Sequence, residues 1–364
     1  MSAPFVLAAG GTGGHLFPAQ ALAGELMRRG RRVVVMTDGR GQNYGPAFPG
    51  AEIATVPSAT FSGRSLAGRI GAFGTIGVGV ASAFAKLKRL KPSAVVGFGG
   101  YPSLPIMVAA WLARIPSAVH EQNAVMGRVN RLVSPLVEKI AASFPFARLG
   151  PKDGGRIVFT GNPVRSEAVA LTGAPYTAPD LTGPIRILIF GGSQGARALS
   201  QIVPAALARL PENLRVRLRI TQQCRAEDLA EVELVYRTAG MNAEAAKFFS
   251  DLPRRMAEAH LVIARSGAST LGELTVVGRP SILIPYPHAM DDHQAANAAV
   301  LEKAGAAWVL READLDSAKL AAMLERILAQ PETLAAHAAA AAALGHADAA
   351  SRLADLVESL GVAR

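Results

Sequence analysis

A single cysteine, Cys224, stands in 364 residues. It has no partner within the chain, so an internal disulfide and a cysteine-built zinc site are both excluded, and the fold needs no oxidising compartment. Aromatic residues make up only 5%, and with no recognised nucleic-acid motif this argues against a nucleic-acid groove. Charged residues are limited to 18% while half the residues are hydrophobic, which excludes a disordered, tail-like chain. Long unbroken apolar runs are lacking as well. Ile70–Ala85 falls short of the ~20 residues a membrane span needs, and Pro92–Ala113 is interrupted by three prolines. Met1 to Gly14 lacks a basic start, an apolar stretch and a small-residue cleavage site, so no secretory signal is expected and a cytosolic protein is the default.

Glycine (36) and proline (23) are plentiful and imply many tight connections, in a length that suits about two domains of ~150 residues. Charge is divided unevenly. Residues 1–183 hold 19 Lys+Arg and 8 Asp+Glu, or +11, whereas residues 184–364 hold 19 and 20, or −1. An anionic partner that touches mainly the first half would explain this, whether nucleic acid, acidic lipid or a phosphorylated substrate.

Phe5-Val-Leu-Ala-Ala9 is a short apolar run that ends in Gly10-Gly-Thr-Gly-Gly14, after which Leu16, Ala19, Leu22, Ala23 and Leu26 recur at helical spacing. The spacing predicts a strand, a glycine loop and a helix. Further strands are expected at Arg32–Thr37, Ala94–Gly97 and Ser117–His120. The second half restarts the pattern, with Ile187–Phe190 running into Gly191-Gly-Ser-Gln-Gly195 and then Leu199, Val203, Ala206 and Leu210. Aligning Gly10 with Gly191 also brings Leu7 onto Leu188 and Leu26 onto Leu207. Strands at Arg215–Thr221, His260–Ala264, Ser281–Pro285 and Ala306–Leu310 continue it. The expected fold class is α/β, with two Rossmann-like, doubly wound domains facing across a cleft. Thr172–Pro184, rich in Gly, Pro and Thr, reads as the linker. Ala349–Leu360 reads as an amphipathic helix that packs on one domain.

Ligands of wound parallel sheets bind beyond the carboxyl ends of strands, where glycines admit backbone and helix N-termini offer N–H groups to anions. Both glycine loops belong there. Leu16 stands where a dinucleotide fingerprint needs glycine, and neither loop carries the lysine of a P-loop. Gly191-Gly-Ser193-Gln-Gly195 does match G-x-S-x-G, so a serine hydrolase, with an acid at Asp291 or Asp292 and a base at His288 or His293, is an alternative. A non-catalytic nucleotide-sugar-binding protein is another. Arg265-Ser-Gly-Ala-Ser-Thr270 opens a helix that carries Glu273. Its first N–H groups, Ala268 to Thr270, suit a diphosphate, and Glu273 could accept from ribose hydroxyls. Asp314-Leu-Asp316 reads as helix capping rather than a metal pair. His15, directly after the first loop, has the ordinary pKa of a general base near neutrality.

Taken together, GGTGGHLFPAQALA (10–23), GFGGYPSLP (97–105), HEQNAVMGRVNR (120–131), TGNPVR (160–165), FGGSQGAR (190–197), RSGASTLGE (265–273), HQAANA (293–298) and LEKAGAA (301–307) resemble the MurG-type N-acetylglucosaminyltransferases of bacterial peptidoglycan synthesis, nearly end to end. The resemblance implies a two-domain transferase of the GT-B fold, with domains at 1–163 and 164–344 and a helix at about 345–364 that packs back on the first. It implies transfer of GlcNAc, with inversion, from UDP-GlcNAc to the C4 hydroxyl of MurNAc-pentapeptide on undecaprenyl diphosphate, converting lipid I to lipid II. The enzyme would be peripheral at the cytoplasmic face of the inner membrane, beside other cell-wall synthesis proteins, without cofactor or metal.

By the same resemblance Ser193 and the Ala268, Ser269 and Thr270 backbone meet the diphosphate, with Arg165 nearby. Glu273 meets the ribose, Phe249 the uracil, and Gln294 and Asn123 the GlcNAc. Thr12, Gly13 and Gly14 line the acceptor wall of the cleft where it meets the donor. Gly11, Gly99, Gly100, Tyr101, His120 and Glu121 are acceptor-side, and His15 is the base. The chain departs from the family in having His293-Gln294 where two glutamines are common, and in an aromatic Phe249 where an aliphatic residue is frequent. Leu66, Ile70, Phe73, Ile76 and Val80, beside Arg64, Arg69, Lys86, Lys88, Arg89 and Lys91, are expected to touch anionic lipid.

Overall fold

The computed structural model describes residues 3–11, 13–39, 47–59, 66–151, 154–192 and 196–362, excluding the side chains at 66–70, 73 and 362. The chain divides into two units, Met1–Arg165 with His346–Arg364, and Ser166–Gly345.

The first unit contains β1 (Phe5–Ala8), β2 (Val33–Thr37), β3 (Glu52–Thr55), β4 (Ala94–Gly97), β5 (Ser117–Glu121), β6 (Lys139–Ala142) and β7 (Ile157–Phe159). They form one sheet in the order β3-β2-β1-β4-β5-β6-β7, and every pairing is parallel. FVLA and VVVMT are buried along their whole length because helices cover both faces, which is why these strands read as continuous apolar runs. Side-chain alternation sorts them into two cores. Phe5, Leu7, Val33, Val35 and Val96 pack with Ala19, Leu22 and Leu26 of helix Gly13–Arg28. Val6, Ala8, Val34, Met36 and Val95 pack with Ala83, Leu87, Ile106 and Met107 from helices Leu66–Leu90 and Ser103–Leu112.

The helix Ala349–Val362 returns to this unit and places Leu353, Ala354, Val357 and Leu360 in the first of those cores. Arg29 Nη1 meets Asp355 at 2.6 Å and Glu358 at 2.7 Å, and Arg31 Nε meets Glu358 at 2.6 Å.

The apolar stripe expected to face lipid is corrected here. Ile76 and Val80 pack inward against the core that holds Ala83 and Leu87, since residues spaced three and four apart share one helix face. Gly79 lies so close to Pro57 that an added Cβ would stand 2.1 Å from its carbonyl oxygen. Val78, on the other side, is 62% exposed. Arg64 lies outside the described residues, as do the side chains of Leu66, Arg69, Ile70 and Phe73.

The second unit contains β8 (Ile185–Phe190), β9 (Leu218–Gln223), β10 (Asn242–Ala246), β11 (Leu261–Ala264), β12 (Ser281–Leu283) and β13 (Ala307–Val309). Their order is β10-β9-β8-β11-β12-β13, again parallel throughout. Ile185, Ile187 and Ile189 bury one face against Leu199, Val203 and Leu207 of helix Arg197–Ala208 and Leu320, Leu324 and Ile327 of helix Ser317–Leu328. Asp316 caps the latter, its side chain accepting from Lys319 N at 2.8 Å.

Thr172–Pro184 does not behave as a free linker. The Tyr176 hydroxyl donates to His260 O at 2.8 Å, and Arg279 donates to the carbonyls of Ala174 and Pro175 at 3.4 and 3.2 Å. These contacts fasten the segment to the second unit, and the units divide at Arg165 and Ser166.

Candidate functional site

In each sheet the strand order reverses at one point, between β1 and β4 in the first and between β8 and β11 in the second. Loops on either side of such a point diverge and leave a crevice at the strands' carboxyl ends. The Gly10 loop follows β1 and Phe98–Tyr101 follows β4; Gly191 follows β8 and Arg265–Gly267 follows β11.

In the first crevice the backbone bends through residues only glycine tolerates. Gly11, Gly99 and Gly100 have φ of +96°, +86° and +74°, a region that costs other residues steric strain. Their missing side chains admit His15. A Cβ on Gly99 would lie 3.2 Å from His15 Cε1 and 3.3 Å from Nδ1, and one on Gly100 would lie 3.4 Å from its Cδ2. His15 is half-buried in the first turn of helix Gly13–Arg28, with Nδ1 shielded from solvent. Gly13 and Tyr101 are half-buried and Gly14 is exposed. Thr12 lies outside the described residues.

His120 and Glu121 end β5, and neither side chain reaches solvent. Both side chains, expected on the acceptor side, are engaged in a supporting arrangement. Glu121 Oε1 accepts from Asn123 N at 3.0 Å and Asn123 Nδ2 at 3.2 Å; Oε2 accepts from Gly127 N at 2.8 Å and Asn130 Nδ2 at 2.9 Å. Four N–H groups converge on one buried carboxylate and fix the 121–130 turn, which holds Asn123. His120 Nε2 lies 3.3 Å from Gly161 O and 3.4 Å from Ser143 Oγ, and its Nδ1 lies 3.3 Å from Gln122 Nε2. Burial, assisted by the charge of His15, pushes its pKa down to about 4, against a smaller opposing effect of the Gly161 carbonyl. Arg165 belongs to this unit and sets its guanidinium 5.5 Å from the Phe17 ring.

In the second crevice Gly267 caps helix Ala268–Val277 without any side-chain partner. The first-turn N–H groups at Ala268, Ser269 and Thr270 are those a helix leaves unused. Ser269 Oγ is buried with no hydrogen-bond partner among the described residues, and Glu273 is 4% exposed one turn on. Neighbouring loops are tied to this start. Ser266 Oγ donates to Gln294 O at 2.8 Å, Asn297 Nδ2 donates to Ser266 O at 3.2 Å, and Tyr286 N donates to Gln294 Oε1 at 2.9 Å. Phe249, beyond β10, is 7% exposed with the Arg255 guanidinium 4.3 Å over its ring. Ser193 lies outside the described residues, and with it the hydrolase alternative's nucleophile. His293 Nδ1 stands 2.8 Å from Met290 O, and Asp292 accepts from Arg311 at 3.3 Å.

Two features went unread in the sequence. Asn130 is the pivot of the Glu121 turn, and Arg265 is a buried brace: Nη1 donates to Ile284 O at 3.1 Å and Pro285 O at 3.2 Å, while Nη2 meets Glu312 at 2.5 Å. A partner 47 residues away (312 − 265) leaves no local pattern. Among the described residues there is no cluster of three or more His, Cys, Asp or Glu able to hold a metal, and no helix long and apolar enough to cross a membrane.

Residues 5–142 match the glycosyltransferase family 28 N-terminal domain, and residues 186–353 match the family 28 C-terminal domain. A relative from Methylobacterium sp. (strain 4-46), named UDP-N-acetylglucosamine--N-acetylmuramyl-(pentapeptide) pyrophosphoryl-undecaprenol N-acetylglucosamine transferase, is 54% identical over 360 residues, covering 98% of this chain and 97% of the relative. One of the same name from Rhodospirillum centenum is 52% identical, covering 98% and 94%. The crystal structure of Acinetobacter baumannii MurG superposes with a TM-score of 0.81 at 29% identity, covering 98% of this chain and all of that one.

Proposed function

The chain belongs to glycosyltransferase family 28, and from that premise we propose that it moves GlcNAc from UDP-GlcNAc to the C4 hydroxyl of MurNAc-pentapeptide on undecaprenyl diphosphate, with inversion. The identity of 54% over 360 residues to a transferase of that name carries this reading, and it supports the transferase over a serine hydrolase or a passive binder.

The acceptor oxygen attacks the anomeric carbon as the bond from that carbon to the diphosphate oxygen breaks. His15 takes the hydroxyl proton, and UDP departs with the bonding pair. The first turn of helix Ala268–Val277 receives the diphosphate charge, joined by Ser193 and Arg165. Glu273 accepts from the ribose and the Phe249 segment borders the uracil. Gln294 offers the sugar its amide N–H groups, because its Oε1 is taken by Tyr286 N; Asn123 is its counterpart in the first unit. Thr12, Gly13 and Gly14, with Gly11, Gly99, Gly100 and Tyr101, form the backbone wall around the acceptor hydroxyl, held in shape by His120 and Glu121.

The lipid-linked acceptor brings the enzyme to the cytoplasmic face of the inner membrane. Val78, Trp111 and Leu112, 62%, 50% and 50% exposed, with the exposed Lys88, Arg89 and Lys91, have the apolar and basic composition that binds anionic lipid peripherally.

Incubation with UDP-GlcNAc and a lipid I analogue, read by mass, is expected to add one N-acetylhexosamine. Labelling by a fluorophosphonate without that product would instead favour the hydrolase, and UDP-GlcNAc binding without product would favour the passive binder.

A further inference from the structure

The second sheet carries a concavity that the transfer chemistry leaves unused. It holds about 350 Å³ and is lined by Arg186, Arg219, Arg254, Arg255, Glu244 and Glu258 beside the backbone of β8, β9 and β10. Arg186 and Arg219 are each the second residue of their strands, so it sits toward the amino ends, away from the carboxyl ends where the donor is placed.

Arg186 and Arg219 are register partners on adjacent strands. Like charges directly opposite one another destabilise a sheet, and among the described residues no carboxylate forms an ion pair with either arginine. Arg219 Nη1 donates only to the carbonyls of Val216 and Leu218, at 3.2 and 2.8 Å. Glu244 is engaged by both Nη atoms of Arg255, and Glu258 lies 3.6 Å from Arg254. Four guanidiniums against two carboxylates leave the lining at +2.

A further donor stands beside them. His260 Nδ1 accepts from Arg186 N at 3.1 Å, which assigns the ring proton to Nε2. That Nε2 faces Arg186 Nη1 at 3.5 Å, so two donors confront each other with no acceptor between them. Burial, with Arg186 and Arg279 adding to it, pushes the His260 pKa down to about 4, so the imidazole is neutral at pH 7 and serves as a donor, not a charge.

We propose that this concavity is a binding site for a small soluble anion bearing two linked phosphoryl groups, gripped by the Arg186 and Arg219 guanidiniums. Neighbouring parallel strands run about 4.8 Å apart, so the two register-paired arginines leave the sheet side by side, and guanidinium forks match phosphoryl oxygens in pairs. Arg255 contacts both Glu244 in the lining and the Phe249 ring, which joins this site to the segment assigned to uracil.

Inorganic pyrophosphate titrated calorimetrically into the full chain, with UDP saturating the donor site, tests the assignment. UDP's own isotherm, recorded first, reports on the donor site separately. Wild-type protein is expected to bind one equivalent, and Arg186→Gln and Arg219→Gln each to weaken it about tenfold or more. Without pyrophosphate, Arg219→Gln is expected to melt no lower than wild type, because it removes a like-charge neighbour. Absence of pyrophosphate binding, or binding indifferent to both substitutions, overturns the site. Arginine-dependent binding to phosphatidylglycerol vesicles with none to pyrophosphate overturns it too, by assigning the charge to a lipid surface.

Discussion

Gly99 and His15 are in contact through a gap that only a glycine leaves: an added Cβ would stand 3.2 Å from the imidazole Cε1, at a residue whose φ is +86°. Gly99→Ala therefore strains the backbone, by about 1–3 kcal/mol, and displaces the ring. Turnover is expected to fall about 10–100-fold, with KM for UDP-GlcNAc changing little, because the proposed diphosphate and ribose contacts at Ala268–Thr270 and Glu273 lie in the other unit. Steady-state kinetics check this, and unchanged kcat would separate the ring's position from catalysis.

His15→Ala removes the proposed proton acceptor outright. A general base is worth about 10²–10⁴ in rate, so kcat with lipid I should drop by that factor while UDP binding, measured by calorimetry, persists. Near-normal turnover would assign the proton to another group.

Ser269→Ala separates binding from stability. The Oγ is buried without a hydrogen-bond partner among the described residues, and such a group costs the fold about 1–3 kcal/mol of desolvation. Its removal is expected to leave the melting temperature equal or higher while UDP-GlcNAc KM rises about tenfold, the hydroxyl being proposed to join the Ser269 N–H at the diphosphate. A lower melting temperature with unaltered KM would show the hydroxyl to be structural.

His120 makes stability depend on pH. Its pKa is held at about 4 against an ordinary 6.5, so between those values the unfolded chain binds the proton more readily. The contribution is complete above pH 6.5 and is lost as the pH falls toward 4, amounting to about 3 kcal/mol. Urea unfolding of His120→Gln should show a flatter decline across that window than wild type. Parallel declines would place the acid sensitivity elsewhere.

Strands buried on both faces were legible from composition alone: Phe5–Ala8, Val33–Thr37, Ala94–Gly97 and Leu261–Ala264 fall within the expected runs. The outer strands were not. Glu52–Thr55 and Asn242–Ala246 are exposed or half-buried, so nothing selects an apolar run there. Arg215–Thr221 was read as strand from its start, yet Glu212–Arg215 is a helical turn and the strand is Leu218–Gln223; alternating Arg, Val and Leu cannot mark where a turn ends. The glycine loops and the helix starting at Ala268 were visible as local patterns. The grip of Glu121 on Asn130 and of Arg265 on Glu312 was not, since neither partner falls at a spacing that one turn or one strand would place together. Ile76 and Val80 were misassigned for a similar reason: composition reports that a face is apolar, and only packing reports what covers it.

The helix Ala349–Val362 completes a core whose strands begin at Phe5, and this sets a schedule for biosynthesis. At about 5–20 residues per second, the ribosome needs on the order of 10–40 s to make the second unit. Throughout that interval the nascent first unit has Leu22, Leu26 and Val96 without the cover of that helix. A polypeptide truncated after Gly345 should accordingly be cut by protease within its first 165 residues under conditions where the whole chain resists. Equal resistance would mean that the opening unit matures before translation ends.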